Sequence, residues 1–434
     1  MLKEIHYNII YNIFIKVKDN VKGSQCWCPI TNLDTADAAY EWNMGQYYSS
    51  STRASGTFTK LLSDDLTEKY VEYVNNIKLK DPDGNELTLT STNEGTYYDY
   101  LKSIIEESLN NFLSDTTFPY TPSSSSSGGP SGGGNAPSGE TPNKVSNRKL
   151  ETYETASDYI SSLNSDSEWI SYDSSTNTAT ITSVGDFVTH CKSASKSVGA
   201  FDSLSKSQAE NKVFGIDGTT YTKHFDSIMA GLLTDKSSTY SSLSDWDSSY
   251  PTDYTNDLTV TDSLGKTIET RAKMYNPMYY LNDYYEGYKT SDVADYFRIN
   301  SGITQGDTSN VVEMNLYLAL VNYGKKATFT TVWNQGHTEA ERSGDAEDNF
   351  ISWIAGIEGG ETSSSSSDTT SSTSSSSDST ISTSISSSAI SDTIIDSSNN
   401  STNTTDDDPI KFLNSNLLEF NSFLICLLII LIFR

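Results

Sequence analysis

The chain has 434 residues, of which 35% are apolar, and a formal net charge of −28. That length suits one large domain carrying an insertion, or two domains. The charge excludes a nucleic-acid partner, because no basic cluster anywhere could draw a phosphate backbone to so acidic a surface. Much of the apolar deficit lies in Ser/Thr/Gly-rich tracts, which leaves the intervening segments able to build a core.

Residues 1–20 hold one apolar stretch, Ile9–Ile15, which is interrupted by Tyr11 and Asn12 and flanked by Glu4 and Lys16. That is a poor signal peptide. Between residues 20 and 121, aromatic-rich segments alternate with helical periodicity. Leu61–Leu79 is one such helix, and Thr96–Leu113 is another, with Leu101, Ile104, Ile105, Leu109 and Phe112 on one face. Cys26 and Cys28, two apart, are expected on one face of a strand as core residues. Cys191 stands alone, and no spacing suggests zinc, so neither metal nor cofactor is expected.

Residues 122–141 read as a flexible linker or long surface loop. The polar stretch 150–250 carries helical segments at Ala156–Leu163 and Phe225–Leu233, with His190 and His224 expected in solvent. The best patterned part is 270–357. Its predicted order is a strand at Asp295–Ile299, a loop carrying Asp307, a helix at Val311–Asn322, a strand at Ala327–Trp333, a loop carrying His337 and a helix at Asp348–Ile357. Strands alternating with helices imply a parallel sheet.

Functional residues of open α/β sheets sit on loops that leave the carboxyl ends of strands. Asp307 and His337 each take such a place, one strand–helix unit apart. An acid followed by a histidine is the end of the Ser…Asp…His chain order of α/β-hydrolases. The histidine would accept the nucleophile's proton, and the carboxylate would fix its tautomer. Glu339 and Glu341 are expected to begin the last helix, where acids suit its positive end. Asp34, Asp37, Glu41 and Trp42 either line a lid or, for the two aspartates, start a helix. The tyrosine clusters at 97–100 and 278–288 read as packing with a wet edge, or as stacking surfaces for an aromatic or sugar substrate.

The segment Asp292–Ile354 resembles the end of bacterial tannase-like and feruloyl-esterase-like α/β-hydrolases. Tyr-Phe-Arg-Ile precedes a loop with Gly-Asp-Thr-Ser, followed by Asn-Leu-x-Leu-Ala-Leu and Trp-x-x-Gly-His-Thr-x-Ala-Glu. Gln25–Trp42 is similar to the strand and lid entry that follow the nucleophile elbow in that family, and residues 274–281 form a third match. The resemblance runs from about residue 24 to residue 357. It implies the C-terminal part of an α/β-hydrolase sheet with a large, mostly helical lid insertion, and a serine carboxylesterase activity on aromatic or plant-wall esters. Asp307 and His337 become the candidate catalytic acid and base. Some relatives carry an aspartate two residues earlier, where this chain has Gln305; an acid belonging there would make Asp307 a substrate-binding neighbour.

In the family the Gly-x-Ser-x-Gly elbow comes before the segment that Gln25–Trp42 resembles, and residues 1–24 contain none. The formal match Gly129–Gly133 lies in the linker without a strand and helix to strain it, and Ser24 lacks the second glycine. The nucleophile is therefore not found, and acyl transfer by this route has no attacking atom. Three readings follow: a hydrolase whose first strands precede Met1, a catalytically dead remnant that binds at the cell surface, and a stalked coat protein.

After residue 358 the composition changes. Residues 359–413 read as a disordered Ser/Thr-rich stalk with glycosylation sequons at Asn399, Asn400 and Asn403. The apolar run Phe423–Phe433, which contains Cys426, falls short of the roughly 20 residues a spanning helix needs. With Asn414, Ser415 and Asn416 it suits a GPI-type signal better than a tail anchor. A surface anchor without a leader predicts a missing beginning. The expected organisation is 1–121 incomplete core and lid entry, 122–141 linker, 142–269 lid, 270–358 hydrolase C-terminal half, 359–413 stalk and 414–434 anchor. The expected partners are a small-molecule or polysaccharide-linked ester and, through the tail, a membrane.

Overall fold

The computed structural model describes residues 21–49, 51–122, 151–192, 194–215, 221–262 and 264–358. The expected linker from residue 123 onward, the stalk and the anchor lie outside the described residues, as does Gly129–Gly133. Among the described residues no helix is long and apolar enough to cross a membrane.

A parallel sheet holds the strands β1 (Gly23–Trp27), β4 (Tyr296–Gly302) and β5 (Lys326–Val332) in the order β1-β4-β5. Gly23 stands opposite Tyr296, which in turn stands opposite Lys326. β4 is the central strand. Phe297 and Ile299 are buried on one of its faces, and both faces are buried from Ile299 to Gly302 at its carboxyl end. A two-stranded antiparallel ribbon, β2 (Ile170–Asp173) and β3 (Thr178–Ile181), stands apart from that sheet.

Between β1 and β4 the chain is mainly helical. It forms α1 (Ala36–Asn43), α2 (Phe58–Ile77), α3 (Thr96–Asp115), α4 (Ala156–Leu163), α5 (Val184–Cys191), α6 (Ala209–Val213), α7 (Ser227–Asp235) and α8 (Tyr250–Thr259), with further short helices between and after them, including Ile268–Met274 and Pro277–Leu281. α9 (Asn310–Asn322) joins β4 to β5, and α10 (Ala346–Glu358) follows β5. The described residues through Ile351 belong to one compact unit, and Ser352–Glu358 belong to a second.

Local chemistry explains the helix ends. Thr57 caps α2 by accepting from the Lys60 amide at 3.1 Å, and α2 stops at Lys78 in the left-handed conformation. Phe58, Leu62, Leu66, Tyr70, Val74 and Ile77 are buried at helical spacing along it. Thr155 and Asp158 form a capping box at α4, whose bounds match the periodicity. α9 has no polar stripe at its centre and is buried over nearly its whole length between the sheet and the insertion.

The two polar-looking halves of the insertion share one core. The side chain of Asn110 in α3 exchanges hydrogen bonds with the backbone of Ala179 in β3, at 2.9 and 2.7 Å. Trp42, Tyr70 and Tyr97 pack ring against ring, with centroids 5.4 and 5.7 Å from Trp42. The Tyr70 and Tyr97 hydroxyls and the Asn315 amide close a buried triangle of hydrogen bonds at 2.8, 2.8 and 3.0 Å. Tyr97 and Tyr98 are thus core residues and present no stacking surface. In the second tyrosine cluster Tyr285 is tied to Asp34 at 2.9 Å, and Tyr284 keeps half its surface exposed.

Two expectations are corrected here. His224 is not solvated: it is 1% exposed, and its Nδ1 lies 2.7 Å from Asp202. A tertiary contact from the turn before α6 reaches it, which no local pattern signals. Glu341 does not begin the last helix, which starts at Ala346 with Glu347 and Asp348 in its first turn. Glu341 instead pairs with Arg298 of β4 and accepts from the Trp27 indole at 2.9 Å, so it fastens β1 and β4 to the loop after β5.

Candidate functional site

Because the three strands run parallel, the loops after β1, β4 and β5 converge at one end of the sheet. The loop after β4 is tied to the loop after β5 by the backbone amides of Ile303 and Thr304, which donate to Val332 and Gln335 at 3.1 Å each. The Thr304 hydroxyl adds a bond to Gln335 at 2.7 Å. A side chain at Gly302 would collide with the carbonyls of Gly336 and Gln335, so only glycine permits this approach. Gly302→Ala is therefore expected to destabilise the fold by about 1–3 kcal/mol and to displace the loop holding His337. Denaturant unfolding and the His337 ring NMR shifts would read the two effects.

His337 lies on the second of these loops, half-buried, with Nδ1 2.8 Å from Gln305 Oε1. Among the described residues no hydroxyl or thiol hydrogen-bonds the ring. Burial lowers the imidazole pKa, the nearby Asp307 carboxylate raises it, and Lys196 lowers it. Asp307 is exposed, and its carboxylate accepts no hydrogen bond among the described residues. The structure thus brings Asp307 and His337 together through space, while the hydrogen bond belongs to Gln305.

The loop is aimed from the helical insertion. The Gly306 carbonyl accepts from the Tyr40 hydroxyl at 2.7 Å and from the Ser195 hydroxyl at 3.0 Å. Tyr40 also accepts from the Lys196 amide at 3.1 Å. Beneath Lys196 lies a buried ion pair: Arg53 Nε and Nη2 grip Glu41 at 2.8 and 2.7 Å, and Arg53 Nη2 donates to the Lys196 carbonyl at 3.1 Å. Ser63 adds a third bond to Glu41 at 2.6 Å. Glu41 is therefore a scaffold residue, as is Trp42, whose indole donates to Thr92 at 2.9 Å.

Two site residues were not foreseen from the sequence. Burial raises the Glu210 carboxyl pKa, Lys196 lowers it and Asp307 raises it. Lys196 and Asp307 therefore act electrostatically on both Glu210 and His337. Lys196 and Glu210 lie in a polar stretch without periodicity, and only the order in which its loops return to the sheet brings them here. Asp37 serves this stretch too: it accepts from the amides of Phe201 and Asp202 at 2.8 and 3.0 Å.

Neither Ser24 nor Cys28 suits the task of nucleophile. Ser24 is buried within β1, with its hydroxyl 3.4 Å from the Cys26 sulfur. Cys28, at the end of β1 with φ 47°, lies against the loops after β4 and β5. Burial foremost, with the Glu313 charge second, pushes its thiol up to about 12, so it is no thiolate at neutral pH. Among the described residues no group of three His, Cys, Asp or Glu side chains could hold a metal ion.

This order of strands, with a helical insertion between β1 and β4, has counterparts among solved structures. Tannase from Lactobacillus plantarum matches with a TM-score of 0.50 at 22% identity, over 79% of this chain and 59% of that one. Tannase from Fusobacterium nucleatum matches with a TM-score of 0.49 at 23% identity, over 79% and 60%. The fold is that of tannase. The chain spans about three fifths of the length of these enzymes. No protein-family model matches the chain, and no curated protein does.

Proposed function

We propose that the chain is a tannase-like ester hydrolase in which His337 is the general base and Lys196, Glu210 and Asp307 bind a hydroxylated aromatic acyl group. The observation that carries this reading is the placement of His337. It stands in the loop after a parallel strand, with its Nδ1 tied down and the Asp307 carboxylate and the Lys196 cation acting on it. Ring hydroxyls donate to carboxylates such as those of Glu210 and Asp307, and a lysine ammonium stabilises a phenol that gives up its proton. An ester placed between these groups and His337 has its carbonyl beside the base. Asp307 is thereby assigned to the substrate and Gln305 to the histidine. The attacking oxygen is unassigned.

A neutral imidazole is needed to accept the proton, so activity is expected to fall as pH drops through the His337 pKa. Burial places that pKa below the ordinary value near 6.5. The acid limb of kcat/KM should accordingly have its midpoint below 6.5 and be flat above it. A limb centred above 6.5 would contradict the burial argument.

Gln305 in place of a carboxylate favours a second reading, a binding module without turnover, because an amide stabilises an imidazolium less than a carboxylate does. The full chain incubated with ethyl gallate, a ligand of a tannin acyl hydrolase, separates the two. Saturable release of gallate that weakens in Lys196→Met supports the hydrolase. Saturable binding without release supports the module. Neither binding nor release would overturn both.

A further inference from the structure

Behind Gln305 lies a buried polar cluster that the proposed chemistry does not use. Gln305 is 1% exposed, Ser301 and Glu313 are fully buried, and Asn310 is 2% exposed. The Gln305 amide nitrogen lies 2.7 Å from Glu313 Oε1 and 2.9 Å from the Ser301 hydroxyl. Asn310 Nδ2 donates to Ser301 at 3.0 Å and to Glu313 Oε2 at 3.3 Å. Lys192, also fully buried, donates to the Ile303 carbonyl at 3.2 Å and to the Asn310 side-chain oxygen.

This arrangement fixes which way the Gln305 amide points. The carboxylate form of Glu313 only accepts, so while Glu313 is ionised the end of the amide facing it is the nitrogen. The oxygen is then the end 2.8 Å from His337 Nδ1. An amide oxygen also only accepts, so Nδ1 must carry the ring proton. We propose that Glu313 is the positioning carboxylate of this site: through the Gln305 amide it holds His337 in the Nδ1-protonated tautomer and leaves Nε2 as the accepting nitrogen. The proposal rests on reading His337 as the general base. It gives the orienting task of a catalytic acid to a carboxylate one residue removed, as outer-shell groups do for metal-bound histidines.

The charges around the relay are few. Lys192 faces Glu313, and the Cys28 thiol beside them is neutral. Burial raises the Glu313 pKa and lowers that of Lys192, and each opposes the shift in the other. His337 faces Asp307 and Lys196. Neither of these makes a hydrogen bond to Nδ1 that could set the tautomer in place of Gln305.

The test is the ring nitrogen spectrum of the full chain labelled with 15N-histidine, which holds four histidines, at a pH above both the His337 transition and the raised pKa of Glu313. His337→Ala identifies the signal. Wild type is expected to show the Nδ1-protonated form, as is Glu313→Gln, whose amide oxygen still accepts from Gln305. Lys192→Met/Glu313→Leu removes the acceptor together with the charge facing it. The ratio of Nδ1- to Nε2-protonated ring should then fall by about fivefold or more. Glu313→Asp keeps the charge but withdraws the acceptor, and should move the ratio the same way if the double variant does not fold.

A wild-type ring protonated at Nε2, or a ratio unmoved by whichever of these variants folds, overturns the proposal. A role for Glu313 in stability alone would lower the melting temperature without converting the tautomer. Ester turnover is read separately. Turnover with the ring protonated at Nε2 sinks the relay alone, whereas a Glu313-dependent Nδ1 tautomer without turnover leaves the relay standing and sinks the hydrolase reading.

Discussion

His337→Ala is expected to lower kcat for an aromatic ester by about 10²- to 10⁴-fold, the contribution of a positioned general base. KM should change little, because the proposal assigns the acyl group to Lys196, Glu210 and Asp307 rather than to the imidazole. The side chain is half-buried and its hydrogen bond is to Gln305, so its removal leaves the core intact. Asp307→Asn should show the opposite split: a raised KM with a smaller loss in kcat, since its carboxylate is assigned to the ligand. Steady-state kinetics on the two variants check this. Equal losses in kcat for both would return Asp307 to the role of catalytic acid.

The largest stability effect is expected at Arg53. Its guanidinium and the Glu41 carboxylate are both fully buried and meet in a two-pronged pair. Arg53→Met removes one charge and leaves the other in a medium that solvates it poorly, which costs about 3–5 kcal/mol. Ser63 softens that loss without cancelling it, since one hydroxyl replaces two charged donors. The same change frees the Lys196 carbonyl, so ligand affinity should fall in whatever fraction remains folded. Equilibrium denaturation measures the first effect and titration with the ester the second. Removing both charges in Arg53→Met/Glu41→Leu should recover much of the stability, because an apolar pair carries no desolvation penalty. Gly45 limits what else fits here, for any side chain on it would collide with the Glu41 carboxylate and the Arg53 guanidinium.

The sequence shows some of this more clearly than the rest. The last quarter reads well because each element has its own local signal. α9 starts at Asn310, against an expected Val311, and β4 and β5 lie within a few residues of their expected bounds. α4 and α3 follow from capping and periodicity in the same way. Gln305 was singled out as the place where a relative carries an acid, and the hydrogen bond to His337 falls there. Buried charges were not legible. Arg53, Glu41, Lys192 and Glu313 look in sequence like surface residues, and their burial is made tolerable by specific polar partners that no local pattern announces. Lys196, Glu210 and His224 share that difficulty, because a polar stretch without periodicity gives no sign of which side chains turn inward.

The measurement that tests the central claim most directly is a crystal structure of the full-chain His337→Ala variant soaked with the aromatic ester. The account predicts ring hydroxyls on the Glu210 and Asp307 carboxylates, the Lys196 ammonium beside them, and the ester carbonyl at the space vacated by the imidazole. An ester bound elsewhere, or one whose ring lies away from Glu210 and Asp307 in a well-ordered site, would contradict it.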